Sequence, residues 1–285
     1  MFAGSYGEGM KPGSLTNKVV AVTGGARGIG LAIAVAAHRL GARVAIGDID
    51  EAAAKESGDQ QGFELSSQLD VTDRQSFTSF LDAVESSVGP LDVLVNNAGV
   101  IAVGSAVEEA DNITQRLLDV NIFGVILGTK LAAQRMLPRR RGNIINIASL
   151  GGVLPTEGIA TYCATKHAVL GYTDAVRLEN RGSGVHFTAI LPTLVNTEMT
   201  AGIGHAKGFK NAEPEDVANA VVGAIARPES RVFVPRAIGI TVASQRLMPL
   251  RVAEAMGRAL GSGRVFTSDV QSDKRKGYAD RTGTS

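Results

Sequence analysis

The 285-residue chain is 44% hydrophobic, with a formal charge of +1. That supports one sizeable core and gives no basic face of the kind nucleic-acid binding requires. The single cysteine, Cys163, excludes an intrachain disulfide and suits a reducing, cytoplasmic compartment; the histidines at 38, 167, 186 and 205 show no metal-ligand spacing, so no metal is expected.

The opening MFAGSYGEGMKPGSLTN is glycine-rich, lacks the apolar core of a signal peptide and reads as a flexible leader over residues 1–16. Residues 18–30, KVVAVTGGARGIG, are a β-branched run that breaks into glycines and resumes as the apolar segment LAIAVAAHRLG. A buried strand, a tight turn and a helix start are predicted. Gly24, Gly28 and Gly30 let a ligand approach the backbone, and the helix N-terminus offers N–H groups to a pyrophosphate. The spacing G-x-x-x-G-x-G departs from the G-x-G-x-x-G dinucleotide fingerprint, and such a turn also occurs for packing alone. The next strand, in ARVAIGDID, ends at Asp48, eighteen residues after Gly30. An acidic residue there binds ribose hydroxyls and repels a 2′-phosphate, which favours NAD over NADP. Arg27 is the contrary signal, because its guanidinium could pair with that phosphate. Asp48 could also serve only to cap the helix beginning near Asp50.

Further strands are expected near 63–69, 91–95, 142–148, 184–190 and 231–234, joined by helix-rich connections. With those near 18–23 and 42–47 they make about seven, in an α/β, Rossmann-type doubly wound parallel sheet with helices on both faces. The glycine turn, Asp48, Asp70, Asn97, Ser149 and Pro192 all fall at or just after strand ends, where ligands of such sheets bind. No stretch of 18 uncharged apolar residues is present, so no transmembrane segment is expected. Residues 17–262 read as one domain, with 237–260 as a C-terminal helical extension interrupted at Pro249; a lid, a subunit contact and a peripheral membrane-surface helix all remain open for it. Residues 263–285 read as a frayed polar tail in which Lys274, Arg275 and Lys276 are solvated.

Tyr162 and Lys166 lie one helical turn apart in TYCATKHAVLGY, with Ser149 thirteen residues upstream. A free Tyr ionises near pH ~10. A cation about 4 Å away, at an effective dielectric near 20, is worth about 4 kcal/mol, enough to bring the phenol toward neutrality as a base for an alcohol proton. Taken alone, Ser149 could equally cap a helix or hydrogen-bond within a loop. Cys163, next to Tyr162, reads as a packing residue.

The chain resembles the short-chain dehydrogenase/reductase family over residues 17 to about 235. TGGARGIG at 23–30, with Arg27 and Ile29 inside it, is similar to the family's cofactor turn, Asp70-Val71 to its adenine contact, and Asn96-Asn97-Ala98-Gly99 to its NNAG motif. Asn121, Ser149, Tyr162 and Lys166 match its catalytic residues. The resemblance implies a hydride transfer between NAD(H) and an alcohol or carbonyl, with Tyr162 as general acid/base, Ser149 holding the substrate oxygen and Lys166 lowering the phenol's pKa and contacting the nicotinamide ribose. It further implies that Asn121 steadies a water, with a plain polar residue on a buried helix as the other reading, and that Pro192 and Thr197 flank the nicotinamide. A homodimer or homotetramer is implied as well. Thr193 stands where the family usually has Gly, which leaves the pocket's shape open.

Val153, Leu154, Pro155, Ile159, Leu194 and Met199 suit an apolar alcohol or ketone, though they could simply pack loops. Residues 197–213 suit a lid or an ordinary connection. Two alternatives stay open beside an NAD-dependent oxidoreductase: an NADP-dependent carbonyl or 3-oxoacyl reductase, and a non-catalytic nucleotide sensor or scaffold.

Overall fold

The β-branched runs become strands because they are buried on both faces. The computed structural model describes residues 11, 13–203, 211–245, 251, 265–267 and 270–284. Within them lie β1 (Val19–Thr23), β2 (Arg43–Asp48), β3 (Leu65–Gln68), β4 (Val93–Asn96), β5 (Gly142–Ile147), β6 (Val185–Pro192) and β7 (Arg231–Val234). All pair in parallel, in the order β3-β2-β1-β4-β5-β6-β7. The order reverses between β1 and β4, the switch point where a doubly wound sheet opens a crevice beyond its carboxyl ends.

The helices are α1 (Gly28–Arg39), α2 (Glu51–Gln61), α3 (Arg74–Ser87), α4 (Asp111–Leu118), α5 (Gly124–Met136), α6 (Ala160–Glu179), α7 (Pro214–Ala226) and α8 (Ala237–Gln245), followed by a C-terminal helix (Ser272–Thr282). Strand side chains alternate between two layers. Val20, Val22, Val44 and Ile46 pack with Ile33 of α1 and Val221 of α7. Ala21, Ala45, Leu94 and Ile144 pack with Phe77 of α3 and Leu127 of α5. Each fully buried Val, Leu, Ile or Phe is worth roughly 2 kcal/mol, so this two-layer core fixes the strand ends that carry the site.

α4 and α5 form one run through a π-helical turn at Asp119–Phe123. This run, Asp111–Met136, is long and apolar enough by length and composition to cross a membrane, but Leu117, Leu127 and Leu131 are buried against the sheet. Asp50 and Asp73 cap α2 and α3 through the backbone N–H groups of Ala53 and Ser76.

Two expectations about the chain's ends need correction. Residues 13–17 form a turn rather than a flexible leader: Leu15 is buried and its N–H donates to Leu40 O at 2.9 Å. The segment Ser272–Thr282 is a docked helix, not a frayed tail, and Arg275 is buried. Composition concealed this because Arg275, Tyr278 and Thr282 recur at helical spacing among charged neighbours. In the 237–260 extension, α8 buries Ile238 and Val242, whereas Arg246, Pro249 and Arg258 lie outside the described residues. The middle of the expected lid, 204–210, lies outside them too.

Candidate active site

The glycine turn folds back on itself where β1 ends. Gly24 and Gly28 have φ of 62° and 55°, and a Cβ on Gly30 would lie 2.0 Å from Gly24 O. No side chain caps the N-terminus of α1, so its N–H groups face the crevice. Asp48 braces the turn from β2, its carboxylate accepting from the N–H of Ala26 at 3.1 Å and of Asp50 at 3.2 Å. Arg27 is ion-paired with Asp50. A backbone bond from Ala53 and then Arg27 hold the Asp50 carboxyl below its ordinary range. Asp70 Oδ1 accepts from both the N–H and the hydroxyl of Thr72, at 2.9 and 2.7 Å.

The ends of β1 and β4 are tied by a reciprocal set of hydrogen bonds. Asn97 Nδ2 donates to the carbonyls of Thr23 and Gly24, both at 3.0 Å. In return Thr23 Oγ1 accepts from the N–H of Asn97 and Ala98 at 3.0 and 3.1 Å. Asn121, in the π-helical turn, is wholly buried; its Oδ1 accepts from Val100 N at 2.8 Å, and its Nδ2 donates to Val100 O at 2.9 Å and Thr165 Oγ1 at 3.1 Å. Both amide protons of Asn121 are therefore committed to bracing the segment after Gly99 against α6. Thr23 and Thr165 carry as much of this bracing as the asparagines. Nothing in their spacing marks them; only the position of Thr23 at the end of an apolar strand hints at it.

Ser149 follows β5 and caps a short turn, its Oγ accepting from Gly151 N at 3.1 Å. Tyr162 stands in the first turn of α6, half-buried, and Lys166 one turn later is buried. The ammonium donates to Ile147 O at 3.0 Å and lies 5.6 Å from the centroid of the Tyr162 ring. Here the electrostatics depart from expectation. Burial pushes the Tyr162 phenol well above its ordinary range, opposed by the Ser149 hydroxyl as a hydrogen-bond partner, and burial lowers Lys166 to about 8. Desolvation outweighs the attraction computed for an ideal 4 Å pair, because the cation meets the ring and a carbonyl. Burial likewise raises the Cys163 thiol, which keeps it un-ionised.

These groups share one cavity of about 1390 Å³. Gly24, Arg27, Gly28, Ile29, Gly30, Asp48, Asp70, Val71, Asn97, Ala98 and Gly99 line it together with Ser149, Tyr162, Lys166, Pro192 and Thr197. Asn121 is the one expected site residue set behind the wall. Thr193 also lines the cavity; among the described non-glycine residues only Asn17 and Arg140 have positive φ, so this position accommodates a branched side chain without strain. Val153, Leu154, Pro155, Ile159, Leu194 and Met199 form an apolar end together with Ile101, Phe266 and Tyr278, which sequence spacing did not indicate. The cradle fits an extended dinucleotide: side chains at Gly24 or Gly30 would collide with protein backbone, and Gly99 lies between Asn121 and Lys166, leaving a channel floored by main chain.

A doubly wound sheet with a glycine cradle at its switch point and a Tyr-Lys pair in the same cavity defines a nucleotide-dependent oxidoreductase. Residues 18–208 match the family model described as short chain dehydrogenase, and the chain belongs to that family. It is 39% identical over 220 residues to a 3-alpha-(or 20-beta)-hydroxysteroid dehydrogenase of Mycobacterium tuberculosis, covering 76% of this chain and 80% of that protein. It is 37% identical over 210 residues to 2-(S)-hydroxypropyl-CoM dehydrogenase 3 of Xanthobacter autotrophicus, covering 70% and 79%. Its fold is similar to a short chain dehydrogenase/reductase from Burkholderia phymatum in complex with NAD, with TM-score 0.75, 26% identity and coverage of 82% and 94%. A 3-ketoacyl-(acyl-carrier-protein) reductase from Brucella melitensis complexed with NADH gives TM-score 0.71, 25% identity and coverage of 77% and 97%.

Proposed function

We propose that this oxidoreductase uses NAD(H) to interconvert an apolar secondary alcohol and its ketone, with Tyr162 as general acid and base. The observation that carries the reading is the meeting, in one cavity, of the Tyr162 and Ser149 hydroxyls with an apolar end on one side and the glycine cradle on the other. In carbonyl reduction Tyr162 donates its proton to the substrate oxygen; in alcohol oxidation it takes that proton back. Ser149 holds the same oxygen and stabilises charge developing on it. Lys166 places a positive charge against the ring and supports the phenolate left after transfer. The nicotinamide supplies the hydride chemistry when bound; the residues that would hold the dinucleotide are those of the glycine turn with Asp48, Asp70, Val71, Asn97, Gly99, Pro192 and Thr197.

The choice of NAD over NADP rests on charge. Arg27 is already paired with Asp50 and Arg281 with Glu198, and Asp48 adds a further carboxylate, so an added 2′-phosphate meets more negative charge than positive. NADH should bind at least about tenfold more tightly than NADPH. Equal affinity, measured by titrating the fluorescence of each reduced cofactor, would overturn the assignment. The hydroxysteroid dehydrogenase relative supports a bulky alicyclic alcohol as substrate. The ketoacyl reductase neighbour favours, as a second reading, an oxo group on an acyl chain. Tyr162→Phe should lower turnover about 10³-fold while NADH affinity stays nearly unchanged, and ordinary activity in that variant would end the mechanism. Exposed Phe123 and Leu178 support a homo-oligomer, which analytical ultracentrifugation would test.

A further inference from the structure

The C-terminal helix spans the cavity from one bank to the other. On the bank of the β6–α7 connection, Arg275 Nη1 donates to the carbonyls of Met199 and Ala201 at 3.0 and 3.4 Å, Arg281 pairs with Glu198, and Gln271 N donates to Gly202 O at 2.8 Å. Gly202 has φ of 74°, and a Cβ there would lie 2.7 Å from Gln271 O, so the segment is fitted to its seat. On the opposite bank, after β4, Ile101 N donates to the Tyr278 hydroxyl at 3.1 Å, and Arg116 Nε donates to Thr282 O at 3.4 Å. The guanidinium carbons of Arg275 and Arg281 lie 5.6 and 5.8 Å from the Tyr278 ring centroid, holding the ring by cation–π attraction.

Between these anchors Tyr278 is 5% exposed and belongs to a buried cluster with Ile101, Ile159 and Cys163, against which Tyr162, Met199 and Phe266 pack. It lines the same cavity as the Tyr162 and Ser149 hydroxyls. Its hydroxyl oxygen accepts from the Ile101 N–H, which fixes the ring within the apolar cluster. We infer that Tyr278 is a specificity-determining residue: its ring closes the substrate end of the cavity and limits the bulk of the alcohol or ketone that reaches Tyr162. The inference rests on the oxidoreductase reading above and adds the residue that sets its substrate size. A rigid aromatic wall discriminates by volume, because an oversized substrate must either displace the ring or lose contact with the catalytic hydroxyls.

The test measures kcat/KM for NAD-dependent oxidation of cyclohexanol, 1-decalol and a 3α-hydroxysteroid by the full chain and by Tyr278→Ala, Tyr278→Trp and Tyr278→Phe. Relative to the unaltered protein, Tyr278→Ala should raise the ratio of steroid to cyclohexanol efficiency about tenfold, and Tyr278→Trp should lower it by a similar factor. Tyr278→Phe should keep the original ratio while lowering the melting temperature, since it removes the bond to Ile101 and leaves the ring. A ratio unchanged within about twofold in the Ala and Trp variants overturns the inference, as does an equal gain for all three alcohols, which would make the ring a plug. Where the Ala variant does not fold, the Trp variant decides. The chain has no tryptophan of its own, so Tyr278→Trp also gives a single tryptophan whose selectively excited emission should shift with the steroid more than with cyclohexanol. Absence of turnover of every alcohol by the unaltered protein would defeat the oxidoreductase reading instead; the ratio and the emission shift bear on Tyr278 alone.

Discussion

The two ends of the cavity are built by different means. At the glycine-turn end, short polar side chains and backbone from neighbouring strand termini bind one another: Thr23 with Asn97 and Ala98, Asp48 with Ala26 and Asp50. At the apolar end, the wall is assembled from side chains far apart in sequence, with Tyr278 reaching Ile101 across 177 positions. The first end is a rigid consequence of strand packing. The second depends on a separately docked helix held by a few hydrogen bonds, one exposed ion pair and the buried Tyr278 ring, so it is the end at which substrate preference can change without altering the sheet.

The comparison is tested most severely at Tyr162 and Lys166, the proposed catalytic pair. Lys166→Met should lower turnover about 10²-fold or more, measured at saturating cofactor. Lys166 also predicts a pH dependence. Its folded-state pKa is lowered to about 8, so its charge is present below that pH and lost above it. For ketone reduction by the free enzyme, kcat/KM should fall as pH rises through about 8, and Lys166→Met should abolish that break. The same shift has a stability consequence. The unfolded lysine binds more protons than the folded one between about 8 and its ordinary pKa, so stability should rise with pH across that window; denaturant unfolding at pH 8 and pH 10 checks the sign.

At the rigid end, Thr23→Val should cost about 3 kcal/mol in urea unfolding and weaken NADH binding, because it leaves the buried N–H groups of Asn97 and Ala98 without their acceptor. If the loss is well under about 1 kcal/mol, that end is not held by the reciprocal bonds. The smallest effect belongs to the docked helix. Arg281 and Glu198 are 35% and 48% exposed, so Arg281→Met should cost no more than about 1 kcal/mol and should fade in high salt. A larger loss would mean that the C-terminal helix is as integral to the fold as the glycine turn.

The sequence by itself determined the seven strands and marked many of the residues that line the cavity. Continuous β-branched runs can be buried only as inner strands of a parallel sheet, and Gly24, Gly28, Asp48, Ser149 and Tyr162 fall at strand and helix ends where chain order alone places them beside the crevice. Tertiary structure alone decided which groups touch. It set Lys166 against the ring and the Ile147 carbonyl, where desolvation prevails, turned both amide protons of Asn121 inward, and brought Tyr278 from a charged segment into an apolar wall. Local periodicity cannot report such contacts, because burial and partner choice depend on where distant segments dock and on how much water the docking removes.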